Sequence, residues 1–266
     1  ILMPDIFLHI PKTGGMSAQT ALKWVYGPGS VHQVPAGDHK LRQWEASEAS
    51  KRVQAQGLVT GHAQYGVHRH LVGECRYFTI LRHPIKRVVS HYFYNRARYP
   101  ESPLASLSLQ EFLLTDHSIA DSNRQVRFLS TSDPGTDPEA ALATAKNRLQ
   151  YDFAAFGLTE RFDESLLLFR RRLGWTRMPF YVSRNVNTNR PSIEELPEED
   201  VEAVCAQNQL DLALYRFACE RFGTVWEEMA KEVEQELRCF RRWNKLIQVV
   251  APPLLWLYRN GRDFFT

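Results

Sequence analysis

Short apolar runs punctuate the chain at Ile6 to Ile10, Leu58 to Gly61, Arg76 to Leu81 and Phe153 to Leu158. Each is too short for a stable helix and each is bounded by turn or charged residues, so each predicts a buried strand. Between them, apolar residues recur at helical spacing over 40–56, 84–98, 108–116, 138–151 and 163–173. Strands that alternate with helices predict an α/β domain with a mostly parallel central sheet, whose ligands sit at the carboxyl ends of the strands. After Pro197 the pattern changes to a long helical stretch from Glu198 to Phe222, followed by a charged one from Val225 to about Leu246. The pattern places one domain over 1–222 and a helical, apolar extension over 223–266, packed on or beside it. A Ser-, Asp-, Gly- and Pro-rich stretch at 130–138 predicts a surface loop.

The first run stops abruptly at Pro11-Lys12-Thr13-Gly14-Gly15-Met16-Ser17, and good helix formers follow from Ser17 to Trp24. Strand, glycine turn and helix together present backbone N–H groups and a positive helix end to an anion. Gly14 and Gly15 allow close backbone approach. Lys12 adds a mobile charge, and Thr13 and Ser17 add hydroxyls. The order of residues is not that of a Walker loop, where the lysine follows the glycines and precedes Ser or Thr. An ordinary strand-to-helix turn has the same ingredients, so the loop alone leaves both readings open.

Two later strand ends carry chemistry as well. The run ending at Leu81 passes directly into Arg82-His83-Pro84, and Pro84 suits the first turn of a helix. Arg82 thus stands at a strand's carboxyl end, with Ser90 two turns along the helix, and such a pair can hold a phosphate through charge-assisted bonds. Solvated surface charge is the competing reading. Gly61-His62 follows another strand end, and a neutral imidazole there can take a proton near neutral pH.

Composition narrows the class without deciding it. The 266 residues are 44% hydrophobic, enough for one substantial core. A formal charge of +3 and a pI near 8.7 suit an anionic cosubstrate and are too small to argue for nucleic acid. Cys75, Cys205, Cys219 and Cys239 lack metal-type spacing and predict free thiols. His68 and His70 could share a strand face, but no thiolates or clustered carboxylates lie near them in sequence, so no metal site is expected. No signal peptide is visible, and Ile1-Leu2 ahead of Met3 suggests a trimmed or tagged start. The apolar tail from Leu246 to Tyr258 reads either as a peripheral membrane or oligomer contact or as a segment packed over the core.

Taken in order, the loop at 11–17, then Gly61-His62-Ala63-Gln64-Tyr65, then Arg82-His83-Pro84-Ile85-Lys86-Arg87-Val88-Val89-Ser90-His91-Tyr92, the chain resembles sulfotransferases that use 3′-phosphoadenylyl sulfate (PAPS). The likeness is greatest to their carbohydrate branch, which includes heparan-sulfate 2-O-sulfotransferase-like enzymes. Further similarities lie at Asn123 to Leu129, Gly157 to Ser165 and Asn208 to Tyr215, so the resemblance covers residues 5 to about 222.

The resemblance implies a P-loop-like fold and in-line transfer of a sulfuryl group from PAPS to a hydroxyl, releasing adenosine 3′,5′-bisphosphate (PAP) without a required metal. It places Pro11, Lys12, Thr13, Gly14, Gly15, Met16 and Ser17 at the 5′-phosphosulfate, and Arg82 and Ser90 at the 3′-phosphate. Lys12 neutralises developing charge, and His62 is the base for the acceptor. Arg190, in a late polar loop, is a further candidate contact to the nucleotide. Asn123, Arg124, Gln125 and Arg127 are candidates for the acceptor, a saccharide or other small or lipid alcohol. The compact length suits a bacterial cytoplasm, with the Golgi lumen as the alternative setting. A P-loop nucleotide kinase and a catalytically silent PAP- or glycan-binding module are the rival readings.

Overall fold

In a computed structural model of the chain, the described residues are 3–35, 57–71, 73–183 and 191–260, with side chains described as far as Val250. The helix expected over 40–56 lies outside the described residues, apart from its neighbours. The centre of the fold is β1 (Asp5–Leu8), all four of whose residues are buried. It pairs in parallel with β3 (Leu58–Gly61) on one side and β4 (Arg76–Leu81) on the other. The edge strands are β2 (Val31–Gln33), parallel to β3, and β5 (Phe153–Leu158), parallel to β4. The order is β2-β3-β1-β4-β5. β2 has no apolar run of its own, because it is a short edge strand with one exposed residue.

This order makes the site. The chain starts in the middle of the sheet, builds the β2–β3 side, then crosses to β4 on the opposite side. A crevice opens where the direction of building reverses, at the carboxyl ends of the central strands. Leu8 is level with Gly61 and Thr79, so the residues that follow β1, β3 and β4 leave the sheet along one edge.

Helix α1 (Gly15–Tyr26) lays Ala18, Ala21 and Leu22 on the sheet. Helix α2 (Pro84–Arg98) begins with proline in its first turn, as the sequence predicts. Its face of Ile85, Val88, Val89 and Tyr92 makes a second, smaller core with α3 (Leu109–Leu113) and Val204 of α8 (Glu198–Gln207). The stretch expected as one helix over 108–116 is two, α3 and α4 (Asp116–Asp121), because Thr115 accepts from Ser118 N–H and starts the second. The helices α5 (Arg124–Ser130), α6 (Pro138–Asn147) and α7 (Phe162–Leu173) follow. Leu166 to Phe169 of α7 are buried in the main core.

The C-terminal helices break at a different place from the one the pattern predicts. The long helix α9 (Gln209–Asn260) runs unbroken through Gly223, and the interruption falls at Asn208. Interior glycine weakens a helix by roughly 1 kcal/mol relative to alanine without ending it. At Asn208 the amide side chain instead accepts from Asn123 N–H and donates to Val204 O, while Asn123 Oδ1 accepts from Leu210 and Asp211 N–H and caps the new helix.

Beyond residue 223, Trp226, Val233, Leu237 and Phe240 are buried in the same core as the sheet. Arg170 pairs with Glu236 at 2.7 Å, Arg171 with Glu232 at 3.1 Å, and Arg241 with Asp163 at 3.2 Å. The basic run at 170–172 therefore reaches across to α9 at two of its three positions. Phe240 stacks on Phe180 with ring centroids 5.6 Å apart. Phe240→Ala is expected to cost about 3–5 kcal/mol of global stability by opening a cavity, measured by denaturant unfolding. Unchanged stability would show that α9 contributes no core.

Candidate active site

The loop after β1 turns back on itself through left-handed conformations at Lys12 (φ 70°) and Gly14 (φ 84°). For lysine such a conformation costs of order 1–3 kcal/mol and persists only where neighbours impose it. They do. The buried Thr13 hydroxyl donates to Ile10 O at 2.9 Å, and Arg82 Nη1 donates to Lys12 O at 2.8 Å. The Thr159 hydroxyl lies 2.8 Å from Thr13 O and 3.0 Å from Leu81 O. Three strand ends, β1, β4 and β5, are thereby pinned together. Helix α1 begins at Gly15 with no side-chain cap and no acidic residue in its first turn, which leaves a positive helix end for an anion.

Gly15 has a more specific reason to be glycine. A Cβ there would lie 1.6 Å from His9 Nε2, so the His9 ring fills the space that glycine leaves. His9 is 5% exposed. Burial, with help from nearby His62 and Lys12, lowers its pKa to about 3, and it is neutral at physiological pH. Its carbonyl lies 2.9 Å from His62 Nδ1, and the two rings are 4.3 Å apart between centroids. A carbonyl only accepts, so His62 Nδ1 carries the proton and the lone pair sits on Nε2 of an exposed ring. Gly61 holds the approach to His62, since a Cβ would lie 2.3 Å from Val34 O.

Lys12 Nζ sits 3.8 Å from the centroid of the exposed Tyr94 ring on α2, a cation–π contact. Arg82 is held by its backbone: Gln125 Oε1 accepts from Arg82 N–H at 2.9 Å, and Gln125 Nε2 donates to Arg82 O at 2.9 Å. Arg82 and Lys86 line a cleft of about 450 Å³ with Thr159, Glu160 and Ser192. Glu160 accepts from His83 N–H at 3.2 Å and from Tyr215 OH at 2.8 Å, which fixes its carboxylate at the cleft wall. Ser90 lies two turns into α2, buried at 8% exposure.

Lys12, Thr13, Gly14, Gly15, His62 and Arg82 therefore come together at one edge of the sheet. The acceptor candidates do not. Asn123 exchanges caps with Asn208, Gln125 clamps the Arg82 backbone, and Arg127 donates to Ser122 O and pairs with Asp133. Arg124 lies over Phe128 and 3.6 Å from Asp121. These contacts hold elements of the fold together, which adjacency in the sequence does not show. Arg190 lies outside the described residues. Tyr94 carries no motif of its own; His9 and Thr159 stand in segments of the resemblance, but only their contacts show what they do. Among the described residues, no group of three or more His, Cys, Asp or Glu side chains could hold a metal ion, and no helix is long and apolar enough to cross a membrane. Cys75, Cys205, Cys219 and Cys239 are free thiols.

An α/β sheet with a glycine loop at its reversal point and basic residues along the same edge defines an open parallel-sheet protein whose ligand crevice lies at that edge. The chain belongs to the galactose-3-O-sulfotransferase family, whose family model matches residues 45–251. It is 24% identical to human galactose-3-O-sulfotransferase 2 over 84% of this chain and 61% of that one. It is 28% identical to chicken heparan-sulfate 6-O-sulfotransferase 2 over 64% of this chain and 50% of that one. The chain thus spans about half to three fifths of the length of these curated relatives. A crystal structure of a mouse sulfotransferase complexed with PAP is similar over 80% of this chain and 88% of that chain, at 12% identity and a TM-score of 0.46, a likeness too distant to carry weight here.

The packing of His9 against Gly15 gives a direct test. Gly15→Ala is expected to lower stability by about 1–3 kcal/mol through overpacking, read as a fall in thermal midpoint, and a second change, His9→Ala, is expected to restore most of it. No recovery in the double variant would show that His9 does not occupy that space.

Proposed function

We propose that the chain transfers a sulfuryl group from PAPS to a hydroxyl of a saccharide acceptor. The observation that carries this reading is the convergence, at one sheet edge, of the Lys12 loop, Arg82 and a histidine whose Nε2 lone pair faces outward. Family membership supports the same chemistry, and the names of the relatives support a sugar acceptor.

The chain's own groups divide the work. Backbone N–H groups from Thr13 to Met16, the Ser17 hydroxyl and the α1 terminus hold the 5′-phosphate, the Ser17 N–H itself being taken by Gly14 O at 3.1 Å. Arg82 and Ser90 take the 3′-phosphate, with the neighbouring cleft available to the nucleoside. A sulfuryl group in flight asks for positioning and charge stabilisation more than for covalent catalysis, as phosphoryl transfer does. Lys12, released from Tyr94, neutralises charge on the bridging oxygen as the bond to sulfur breaks. His62 Nε2 accepts the acceptor's hydroxyl proton, while its Nδ1–H stays on the His9 carbonyl and keeps the ring aimed. The nucleotide-kinase reading loses its support, because the lysine precedes the glycines and the family is a sulfotransferase family.

The curated relatives named above are animal proteins, which gives a bacterial cytoplasm no support. The Golgi lumen is the setting this reading favours.

Transfer of label from PAPS to a panel of β-galactosides and heparan fragments tests the reading. Lys12→Ala and His62→Ala are each expected to lower kcat by about 10²–10⁴-fold, with PAP still bound by the His62 variant. Near-normal turnover in His62→Ala would remove the base assignment. Absence of transfer in the wild type, with PAP bound, would identify a silent binding module.

A further inference from the structure

Away from this edge, the outer end of α2 carries a second set of convergent donors. His91 and Asn95 lie one turn apart on α2, and His117 reaches them from α4. His91 Nδ1 lies 2.9 Å from Asp121 Oδ2, a carboxylate that also takes Arg87 Nη1 at 2.7 Å. That bond puts the His91 proton on Nδ1 and its lone pair on Nε2. His91 Nε2 and His117 Nε2 are 3.4 Å apart, and Asn95 Nδ2 is 3.2 Å from the first and 3.1 Å from the second. The amide's two N–H donors meet an imidazole lone pair on each side. Both lone pairs therefore point toward the Asn95 amide, and the three atoms bound one small volume.

The edges of this triangle are those of a coordination shell. Bonds of about 2.0–2.1 Å set donors roughly 3.3–3.4 Å apart in a tetrahedron and about 2.9 Å apart in an octahedron. Half a turn of the Asn95 amide puts Oδ1 where Nδ2 stands and supplies a third donor. The donors are two imidazoles and an amide, not the carboxylates or thiolates of a conventional cluster. Asp121 behind His91 is the outer-shell carboxylate that commonly orients a metal-bound imidazole. Its own geometry is fixed by the fully buried Arg87, and Arg124 Nε approaches its other oxygen at 3.6 Å. His117 is exposed, so an ion can enter from solvent.

We propose that His91, His117 and Asn95 form a binding site for a divalent transition-metal ion of the zinc type, which prefers imidazole donors. The site would tie α2 to α4. Since Ser90 precedes His91 and Tyr94 precedes Asn95 on α2, metal there would stiffen the helix that serves both the phosphate and the lysine of the proposed active site. The proposal stands on the donor geometry alone and does not require the sulfotransferase reading.

The test is a metal titration of the whole chain in chelator-treated buffer at neutral pH, with Zn²⁺ followed by calorimetry and Co²⁺ by its visible absorption. Wild type is expected to bind one ion saturably and to gain several degrees in thermal midpoint at an excess of about 100 Kd. His117→Gln removes an exposed imidazole donor while keeping a side chain over Phe112; it is expected to weaken binding at least about tenfold while keeping the metal-free midpoint within a few degrees. Asn95→Asp, which offers an anionic oxygen in the same place, is expected to bind more tightly than wild type. No saturable binding by wild type, or equal binding by His117→Gln, would overturn the site.

Discussion

The hydrogen bond from the Arg82 guanidinium to the Lys12 carbonyl joins the loops of two neighbouring parallel strands. Much of the active edge depends on it. Parallel pairing already brings the ends of β1, β3 and β4 to one side of the sheet, but loops there are free to diverge. Arg82 draws the β1 loop toward β4, Thr159 ties both to β5, and Gln125 fixes the Arg82 backbone by a bond in each direction. With the loop so held, Lys12 can occupy a left-handed backbone conformation that an isolated lysine would leave. The residue proposed to meet developing charge is thus one whose backbone its surroundings hold in place.

Support for that clamp comes from deeper in the fold. Gln125 is itself placed by Asp211, whose carboxylate accepts from Gln125 and Val126 N–H at 3.1 and 2.8 Å. Burial raises the Asp211 pKa, and Arg87 and the two amides oppose that shift. Asp121 is affected the other way on balance: burial pushes its carboxyl up, but Arg87 and His91 more than offset this and hold it well below the usual range. A chain of buried polar contacts therefore runs from α9 through α5 to Arg82. Buried networks of this kind are costly when half satisfied and rigid when complete.

Much of this edge was legible in the sequence, because its elements have strong local signatures. Strands β1, β3, β4 and β5 are short apolar runs ended by His, Gly, Arg and Thr respectively, and Pro84 marks a helix start. The parallel sheet followed from alternation. What was not legible is cross-chain pairing. Asn123 and Gln125 are polar residues beside a motif in sequence, and nothing local says that one caps α9 and the other grips Arg82. The break at Asn208 is likewise set by a partner 85 residues away in sequence, while Gly223, the local candidate for a break, sits inside a helix whose far half is held by Phe180, Asp163 and Arg170. Edge strand β2 escaped notice because a partly exposed strand of three residues has no periodicity to detect. His9, Tyr94 and Thr159 matter only through what they touch.

The claim at the centre is that this edge grips two separate phosphates of one nucleotide. Calorimetric affinity for PAP against adenosine 5′-diphosphate, with Mg²⁺-ATP as a third ligand, tests it most directly, because the first two differ in whether a phosphate sits at the 3′ position. The account predicts that PAP binds at least about tenfold more tightly than either, and that Arg82→Ala abolishes the preference, in line with loss of a charge-assisted phosphate contact. Equal affinity for PAP and the diphosphate, or tighter binding of Mg²⁺-ATP, would contradict it.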